Sequence, residues 1–181
     1  EPSIISNDGS FIFARFDDSY HLIDYVGFNK NIELPETYNG ETYSIHDFAF
    51  IRIEDVETIV VPNGIKNIGQ SAFREMPSLR SVRLPEDLET LGQLAFYECD
   101  KLTSIVIPDS VTEIGLRTFN GCDSLTSVDL GNGLVSIGDY AFGYCKALKE
   151  FYIPSTLTTV GNNVFSNVYY IENVYYAGSE E

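Results

Sequence analysis

Hydrophobic and polar positions return along this chain at a fixed interval. Residues 102–120 read "LTSIVIPDSVTEIGLRTFN", and residues 125–142 read "LTSVDLGNGLVSIGDYAF". Glycine and phenylalanine both recur every 23 residues, at Gly69, Gly92, Gly115, Gly138 and Gly161 and at Phe50, Phe73, Phe96, Phe119, Phe142 and Phe165. A constant period of this length is typical of solenoids and repeat arrays.

Each unit begins with a pattern that predicts a short β-strand. In "LTSIVIP", Ile105 and Ile107 flank Val106, which is an alternation with a period of two. Pro108 follows, and we expect the strand to end there because proline has no N–H to donate to a central ladder. The sequence therefore predicts one strand per unit, with Ile105 and Ile107 facing inward.

The rest of the unit predicts a turn and a less regular segment. Val111 and Ile114 are expected to point inward before Gly115, which can adopt a positive φ, turns the chain. Phe119 and Cys122 lie three residues apart, the spacing of one helical turn, which indicates a short helix or 3₁₀ segment on the outer side.

One unit alone has an apolar side with nothing to cover it, so the units must stack. Residues 23 apart then lie above one another and form interior rows. One predicted row is the phenylalanines named above, and another is Ile59, Val82, Ile105, Val128, Phe151 and Val174. Burial of one such side chain contributes roughly 1.5 to 3 kcal/mol, so only the rows together offset the ordering entropy. A polar residue in place of Ile105 is therefore expected to destabilise the whole stack.

The units "LTSIVIPDSVTEIGLRTFNGC" and "LRSVRLPEDLETLGQLAFYEC" share proline, glycine, phenylalanine and cysteine in step. This pattern covers about residues 32–177 and resembles the BspA-type leucine-rich repeats of bacterial surface proteins. The resemblance implies a right-handed leucine-rich-repeat solenoid with a parallel β-sheet on one side and short helical, 3₁₀ or irregular segments on the other. It also implies an exported, surface-attached or secreted protein of a host-associated bacterium, involved in adhesion or host interaction.

The two ends of the chain depart from the repeat. Residues 1–31 predict an N-terminal cap, in which "SFIFARF" and "YHLIDYVG", separated by "DDS", form a β-hairpin over the first turn. The solenoid is expected to occupy residues 32–181 in about five to six repeats. The final "AGSEE" follows the last strand without a closing element. We therefore expect truncation at the C-terminus, with an open edge that permits self-association.

Composition and charge narrow the classes of function. A length of 181 residues with 44% hydrophobic residues fits one folded domain. The net charge of −16 argues against binding to nucleic acid or to an anionic membrane surface. No apolar run approaches the roughly 18 to 20 residues needed to span a bilayer. The chain begins at Glu1 without Met or a signal-peptide pattern, which fits a mature secreted fragment or a piece of a longer chain.

The cysteines follow the repeat and do not form a motif. Cys99, Cys122 and Cys145 occur once per unit, and Met76 occupies the equivalent position one unit earlier. A position that accepts cysteine or methionine is a core position, so buried free thiols are expected. Three cysteines also cannot pair completely within one chain. Neither a disulfide framework nor a metal site is predicted.

Other residues able to carry chemistry are scattered. His21 and His46 stand outside any metal-binding spacing and are expected to be structural or exposed. The acid pairs at residues 17–18 and 54–55 have no base nearby and are interpreted as solvated loop charge. No nucleotide, calcium or protease motif occurs. The sequence therefore predicts no catalytic residue, no cofactor and no metal ligand.

Variation is concentrated at the positions expected to face outward from the sheet. These candidate binding residues are Val60, Arg83, Val106, Asp129, Tyr152 and Tyr175. Strands about 4.8 Å apart would give six of them a face roughly 25 Å long. Tyrosine and arginine are typical anchors of binding surfaces, which favours Arg83, Tyr152 and Tyr175. The simpler explanation of tyrosine and valine at these positions is that both residues are common in β-strands, without any role in binding.

Three hypotheses about function follow. In the first, the chain is a noncatalytic module that binds an extracellular protein or glycan through the sheet, and tyrosines stacked on sugars are one variant of it. In the second, it is a structural spacer or assembly segment of a larger surface protein and has no ligand of its own. An enzyme is the third and weakest, because a regular solenoid rarely forms the pocket that catalytic carboxylates need.

Overall fold

The computed structural model describes residues 4–6 and 8–177, in which the chain winds as a β-solenoid of about seven turns. The strands, in chain order, are β1 (Ile4–Ile5), β2 (Phe11–Phe16), β3 (Ser19–Tyr25), β4 (Asn31–Glu33), β5 (Tyr43–Ile45), β6 (Thr58–Val60), β7 (Asn67–Ile68), β8 (Ser81–Arg83), β9 (Thr90–Leu91), β10 (Ser104–Val106), β11 (Glu113–Ile114), β12 (Ser127–Asp129), β13 (Ser136–Ile137), β14 (Glu150–Ile153), β15 (Thr159–Val160) and β16 (Asn173–Tyr176). The C-terminal truncation was predicted from "AGSEE", and residues 178–181 of that run lie outside the described residues.

One side of the solenoid is a parallel sheet, here called the first sheet, to which each turn contributes one strand. β4, β6, β8, β10 and β12 form a continuous ladder, and β14 pairs with β16. Between repeats the register is 23 residues, as in the pairs Ile59 with Val82 and Ile105 with Val128. The predicted strand in each unit, and its phase, are confirmed.

The ladder of the first sheet is interrupted between β12 and β14, both of which are fully described. The interior residue of β14 is Phe151, whereas β6, β8, β10 and β12 carry isoleucine or valine at this position. The Phe151 ring centroid lies 5.1 Å from that of Phe142 and 4.7 Å from that of Phe165. Because a close-packed core must widen to hold the larger ring, we attribute the interruption to Phe151.

The solenoid has a second parallel sheet, which the sequence did not predict. Its strands come after the proline position of each repeat. It consists of very short strands in two ladders, one with β5, β7 and β9 and one with β11, β13 and β15. The predicted N-terminal hairpin joins this sheet. β2 and β3 are antiparallel, with Asp17 and Asp18 at positive φ in the turn. β3 then pairs in parallel with β5, so the hairpin extends the second sheet.

The third side of the solenoid, here called the turn side, is formed by the segments that come after the repeat glycines. The short helix or 3₁₀ segment predicted here from the spacing of Phe119 and Cys122 is wrong. Among the described residues no helix occurs, and the backbone of this side is irregular, as the resemblance also allowed. Backbone hydrogen bonds run from one turn to the next, as in Phe73 N–H to Ala95 O at 2.9 Å and Phe96 N–H to Thr118 O at 2.9 Å. Residues with left-handed φ, such as Glu75 at 56° and Glu98 at 55°, interrupt any helix here.

The core consists of the predicted rows, except at the C-terminal end, where Phe165 is only half-buried and its ring centroid lies 6.0 Å from that of Phe142. The rings of Phe50, Phe73, Phe96, Phe119 and Phe142 are fully buried and stack with centroids 5.2 to 5.4 Å apart. Tyr25 of the hairpin stacks on Phe50 at 5.8 Å, so the hairpin continues this column. In the strand row Ile59 through Phe151 are buried, but Val174 is 52% exposed. The prediction of an interior Val174 is wrong, because no described residue beyond β16 covers it.

The repeat glycines allow close approach of neighbouring turns, and the positive φ predicted for Gly115 is wrong. None of these five glycines has a positive φ, which occurs instead two residues later, for example at Leu94 with 59° and Arg117 with 52°. A Cβ added to Gly92 would lie 2.4 Å from the carbonyl carbon of Gly69. Glycine is therefore required because the backbones of consecutive turns touch.

We predict that Gly92→Ala destabilises the protein more than Gly115→Ala does. The new Cβ at Gly92 meets backbone, whereas the new Cβ at Gly115 first meets the movable Cγ of Gln93, at 2.8 Å. The free energy of unfolding should fall by about 1 to 3 kcal/mol for Gly92→Ala and by less for Gly115→Ala. Urea denaturation of both variants measures the difference, and equal losses would contradict this role of the glycines.

Candidate functional site

The outward side chains of the first sheet form one surface, here called the sheet face. Its central row is Glu33, Val60, Arg83, Val106, Asp129, Tyr152 and Tyr175, and the row beside it is Asn31, Thr58, Ser81, Ser104, Ser127, Glu150 and Asn173. All six candidate binding residues therefore lie on this face. Val60 is half-buried and the other five are exposed. The sequence pattern predicted their orientation because side chains alternate along a strand.

The sheet face carries open depressions, here together called the trough. Three open depressions, with volumes of about 480, 700 and 760 Å³, follow one another along it. Arg83 lines the first two, and Val106 and Asp129 line the last two. Tyr152 lines the third, beside the interruption between β12 and β14. The depressions thus share their walls and connect five of the candidate residues.

Apolar and aromatic side chains are accessible on this face. Val106 is 62% exposed and Tyr152 is 56% exposed. Tyr152 and Tyr175 stack with centroids 4.6 Å apart and planes inclined by 14°. Each ring therefore covers one face of the other, which leaves their edges and the two outer ring faces open to a ligand.

The sheet face also carries an arginine without an internal partner. Seven of the 11 basic residues of the chain form ion pairs, most of them with a neighbouring turn. Arg15 and Arg117 instead lie over the rings of Tyr20 and Tyr140. Among the described residues, the side chain of Arg83 has no ion-pair, hydrogen-bond or ring partner. Its guanidinium is thus available to a ligand.

Sequence reasoning missed a second depression, of about 600 Å³, on the turn side. Tyr97, Arg117 and Tyr144 line it around Gly121, which stands where the next turn carries Tyr144. The missing side chain at Gly121 opens this hollow, and that glycine was the signal available in the sequence. Burial, followed by the nearby charges of Asp123 and Glu98, raises the pKa of Asp100 in its wall.

The cysteines are free and buried, as predicted. Each thiol lies near the carbonyl oxygen of a phenylalanine 26 residues earlier, with Cys99 Sγ at 3.0 Å from Phe73 O and Cys122 Sγ at 3.2 Å from Phe96 O. Burial raises the pKa of Cys99 and of Cys145 to about 12, and that of Cys122 well above its usual value. A thiol that stays protonated is a poor nucleophile and a poor metal ligand.

The two histidines meet where the hairpin joins the solenoid. The ring centroids of His21 and His46 lie 5.7 Å apart, and Phe16 packs against both. Burial, with the charge of His46, lowers the pKa of His21. Across the described part of the chain, no group of three or more His, Cys, Asp and Glu residues is arranged to hold a metal ion. In that same part, no helix has the length and hydropathy to cross a membrane.

Residues 43–172 match the family described as "BspA type Leucine rich repeat region", in six copies. This chain belongs to the BspA-type leucine-rich repeat family. None of the functionally curated proteins matches it significantly.

Several solved structures share the BspA-type fold. A leucine rich cell surface protein from Faecalibacterium prausnitzii A2-165 is 24% identical, with a TM-score of 0.69 over 99% of this chain and 56% of that one. A leucine-rich repeat protein from Bacteroides ovatus ATCC 8483 is 24% identical, with a TM-score of 0.66 over 94% and 52%. The pneumococcal vaccine antigen PcpA is 17% identical, with a TM-score of 0.72 over 97% and 48%. The chain thus spans about half the length of these relatives, which establish its fold.

We predict that the buried thiols make stability fall at alkaline pH. An unfolded cysteine titrates near pH 8.5, whereas the folded pKa of Cys99 is about 12. The stabilising contribution is therefore complete below about pH 8.5 and is lost as pH rises toward the folded pKa, by roughly 2 kcal/mol at pH 10. Urea unfolding at several pH values should show a smaller alkaline loss for Cys99→Ala than for the wild type. Identical slopes would contradict the raised pKa.

Proposed function

We propose that this chain is a noncatalytic binding module that holds an extracellular protein or glycan in the trough of its sheet face. The observation that carries the proposal is the contrast between interior and face. Interior positions repeat the same few apolar residues from turn to turn, whereas the central row of the face changes charge, size and aromaticity at almost every strand. A surface free of the packing constraint can vary to fit a ligand.

The character of the trough supports binding. Exposed Val106 and the stacked tyrosines offer area that loses water on contact, and unpaired Arg83 offers a directional charge. Tyrosine and arginine are frequent anchors in protein interfaces. A face of seven strands, roughly 29 Å long, is large enough for a segment of a protein or a short glycan.

A noncatalytic role fits the placement of the acids. Asp17 and Asp18 form the tight turn of the hairpin, and Glu54 and Asp55 are exposed at a corner of the solenoid. General acid–base catalysis needs carboxylates positioned in a site that excludes water. These pairs have no such surroundings.

We further propose that the module is exposed at the surface of a host-associated bacterium or is secreted. This rests on the family and on two relatives, one named a cell surface protein and the other a vaccine antigen. The rival hypothesis is a structural spacer. It is favoured by the fact that similar proteins are about twice as long, so the ligand site of the whole protein can lie elsewhere, and the strand edge at β16 can serve assembly.

The proposal is tested by a binding screen against extracellular-matrix proteins and a glycan array. Arg83→Ala combined with Tyr152→Ala removes two anchors of the sheet face, and we expect binding to weaken at least about tenfold. The matched control, Arg117→Ala with Tyr144→Ala, removes the same residue types from the turn side. We expect that variant to bind like the wild type and both variants to unfold cooperatively.

Two other results would overturn the proposal. Loss of binding in the turn-side variant alone would assign the ligand to the hollow around Gly121. A folded wild type that binds nothing in the screen would favour the spacer hypothesis.

A further inference from the structure

The charges on the sheet face have a fixed spacing. Arg83, Val106 and Asp129 project from consecutive strands of one ladder, in a 23-residue register. With strands about 4.8 Å apart, Arg83 and Asp129 are separated by two steps, or about 9.6 Å. Val106 lies between them and is 62% exposed. The face therefore presents a positive, an apolar and a negative group in a row along the stacking axis.

This separation keeps the two charges from satisfying each other. It is close to the Debye length of about 8 to 10 Å at physiological ionic strength, so their attraction in water is weak. Most other basic residues of the described chain have an acidic partner in a neighbouring turn, for example Lys66 with Glu89 at 2.6 Å. The Asp129 carboxylate accepts the Gly131 N–H at 3.1 Å through Oδ1, so its other oxygen can accept from a ligand. Arg83 and Asp129 thus suit a ligand that carries the opposite charges at the same distance.

One common backbone conformation has this repeat distance. A polyproline II helix rises about 3.1 Å per residue with three residues per turn, so residues i and i+3 point the same way about 9.3 Å apart. An extended β-strand places same-side residues about 6.8 Å apart, which does not match. Beyond Asp129, across the interruption between β12 and β14, lie the stacked rings of Tyr152 and Tyr175. Proline-rich segments commonly dock on such aromatic surfaces.

We propose that the sheet face binds a polyproline II segment of a partner protein that lies along the stacking axis. An acidic residue at position i of the segment pairs with Arg83, and a basic residue at i+3 pairs with Asp129. The backbone of the segment between them passes over Val106, and its continuation meets the stacked rings of Tyr152 and Tyr175. The inference rests on the proposed function and specifies the ligand of the same face. A neutral glycan would leave Arg83 without a charged partner.

Two blocked proline-rich peptides of the same composition test the spacing. In one, the acid and base occur as Asp-Pro-Pro-Lys, and in the other as Asp-Pro-Pro-Pro-Lys, which turns the base about 120° away from the acid. We expect the first to bind at least about fivefold tighter and to shift the amide signals of β8, β10 and β12 in an NMR titration. Equal affinities, or no saturable shift at about 1 mM of the first peptide, would overturn the proposal.

A second experiment reverses the two charges in the protein. Arg83→Glu and Asp129→Lys should each weaken binding of the first peptide, while the double variant should restore it because the peptide can lie in the opposite direction. Lys101→Glu is the matched control, since Lys101 is exposed and lies outside the face. We expect it to leave the affinity unchanged.

The outcomes separate this inference from the proposed function. If a ligand from the binding screen depends on Tyr152 but is indifferent to both charge reversals, the sheet face binds and the polyproline II inference is wrong. Binding of a neutral glycan with that behaviour would identify the alternative ligand class.

Discussion

The structure depends on the stacking of one phenylalanine per turn. The column from Phe50 to Phe142 has centroid spacings of 5.2 to 5.4 Å, and Tyr25 extends it into the N-terminal hairpin. An aromatic contact adds about 0.5 to 1.5 kcal/mol to the burial of each ring. From Phe50 to Phe142, an equal number of residues in every turn returns each ring to the same place above its neighbour. A constant period satisfies this constraint, and glycine occurs where the backbones of two turns meet.

The same column influences the binding surface. Neighbouring strands of a parallel sheet lie about 4.8 Å apart, whereas the rings on the turn side are spaced more widely. This difference favours curvature of the stack with the first sheet on the inner side. Phe151 disturbs the regularity by placing a larger ring in the strand row, and a depression of about 760 Å³ lies beside it. Packing inside the solenoid thus shapes the surface outside it.

Much of this architecture could be predicted from the sequence because each position of the repeat occurs several times along the chain, and its residues agree in character. The strand phase, the interior phenylalanines, the buried cysteines and the outward orientation of Arg83 and Tyr152 all follow from alternation and period. The second sheet could not be predicted, since strands as short as Asn67–Ile68 carry no measurable alternation. The role of Gly92 depends on contact with another turn, which no local pattern contains. The hollow at Gly121 and the stacking of Tyr152 on Tyr175 likewise depend on three-dimensional neighbours.

The central claim is that turn-to-turn contacts on all sides of the solenoid hold the stack, including the irregular turn side. Residue-resolved amide hydrogen exchange tests it most directly. The account predicts that the amides of Phe73, Phe96 and Phe119, which bond to the following turn at 2.9 Å, are protected as strongly as those of β8 and β10. Rapid exchange of these amides, with protection confined to the first sheet, would contradict it.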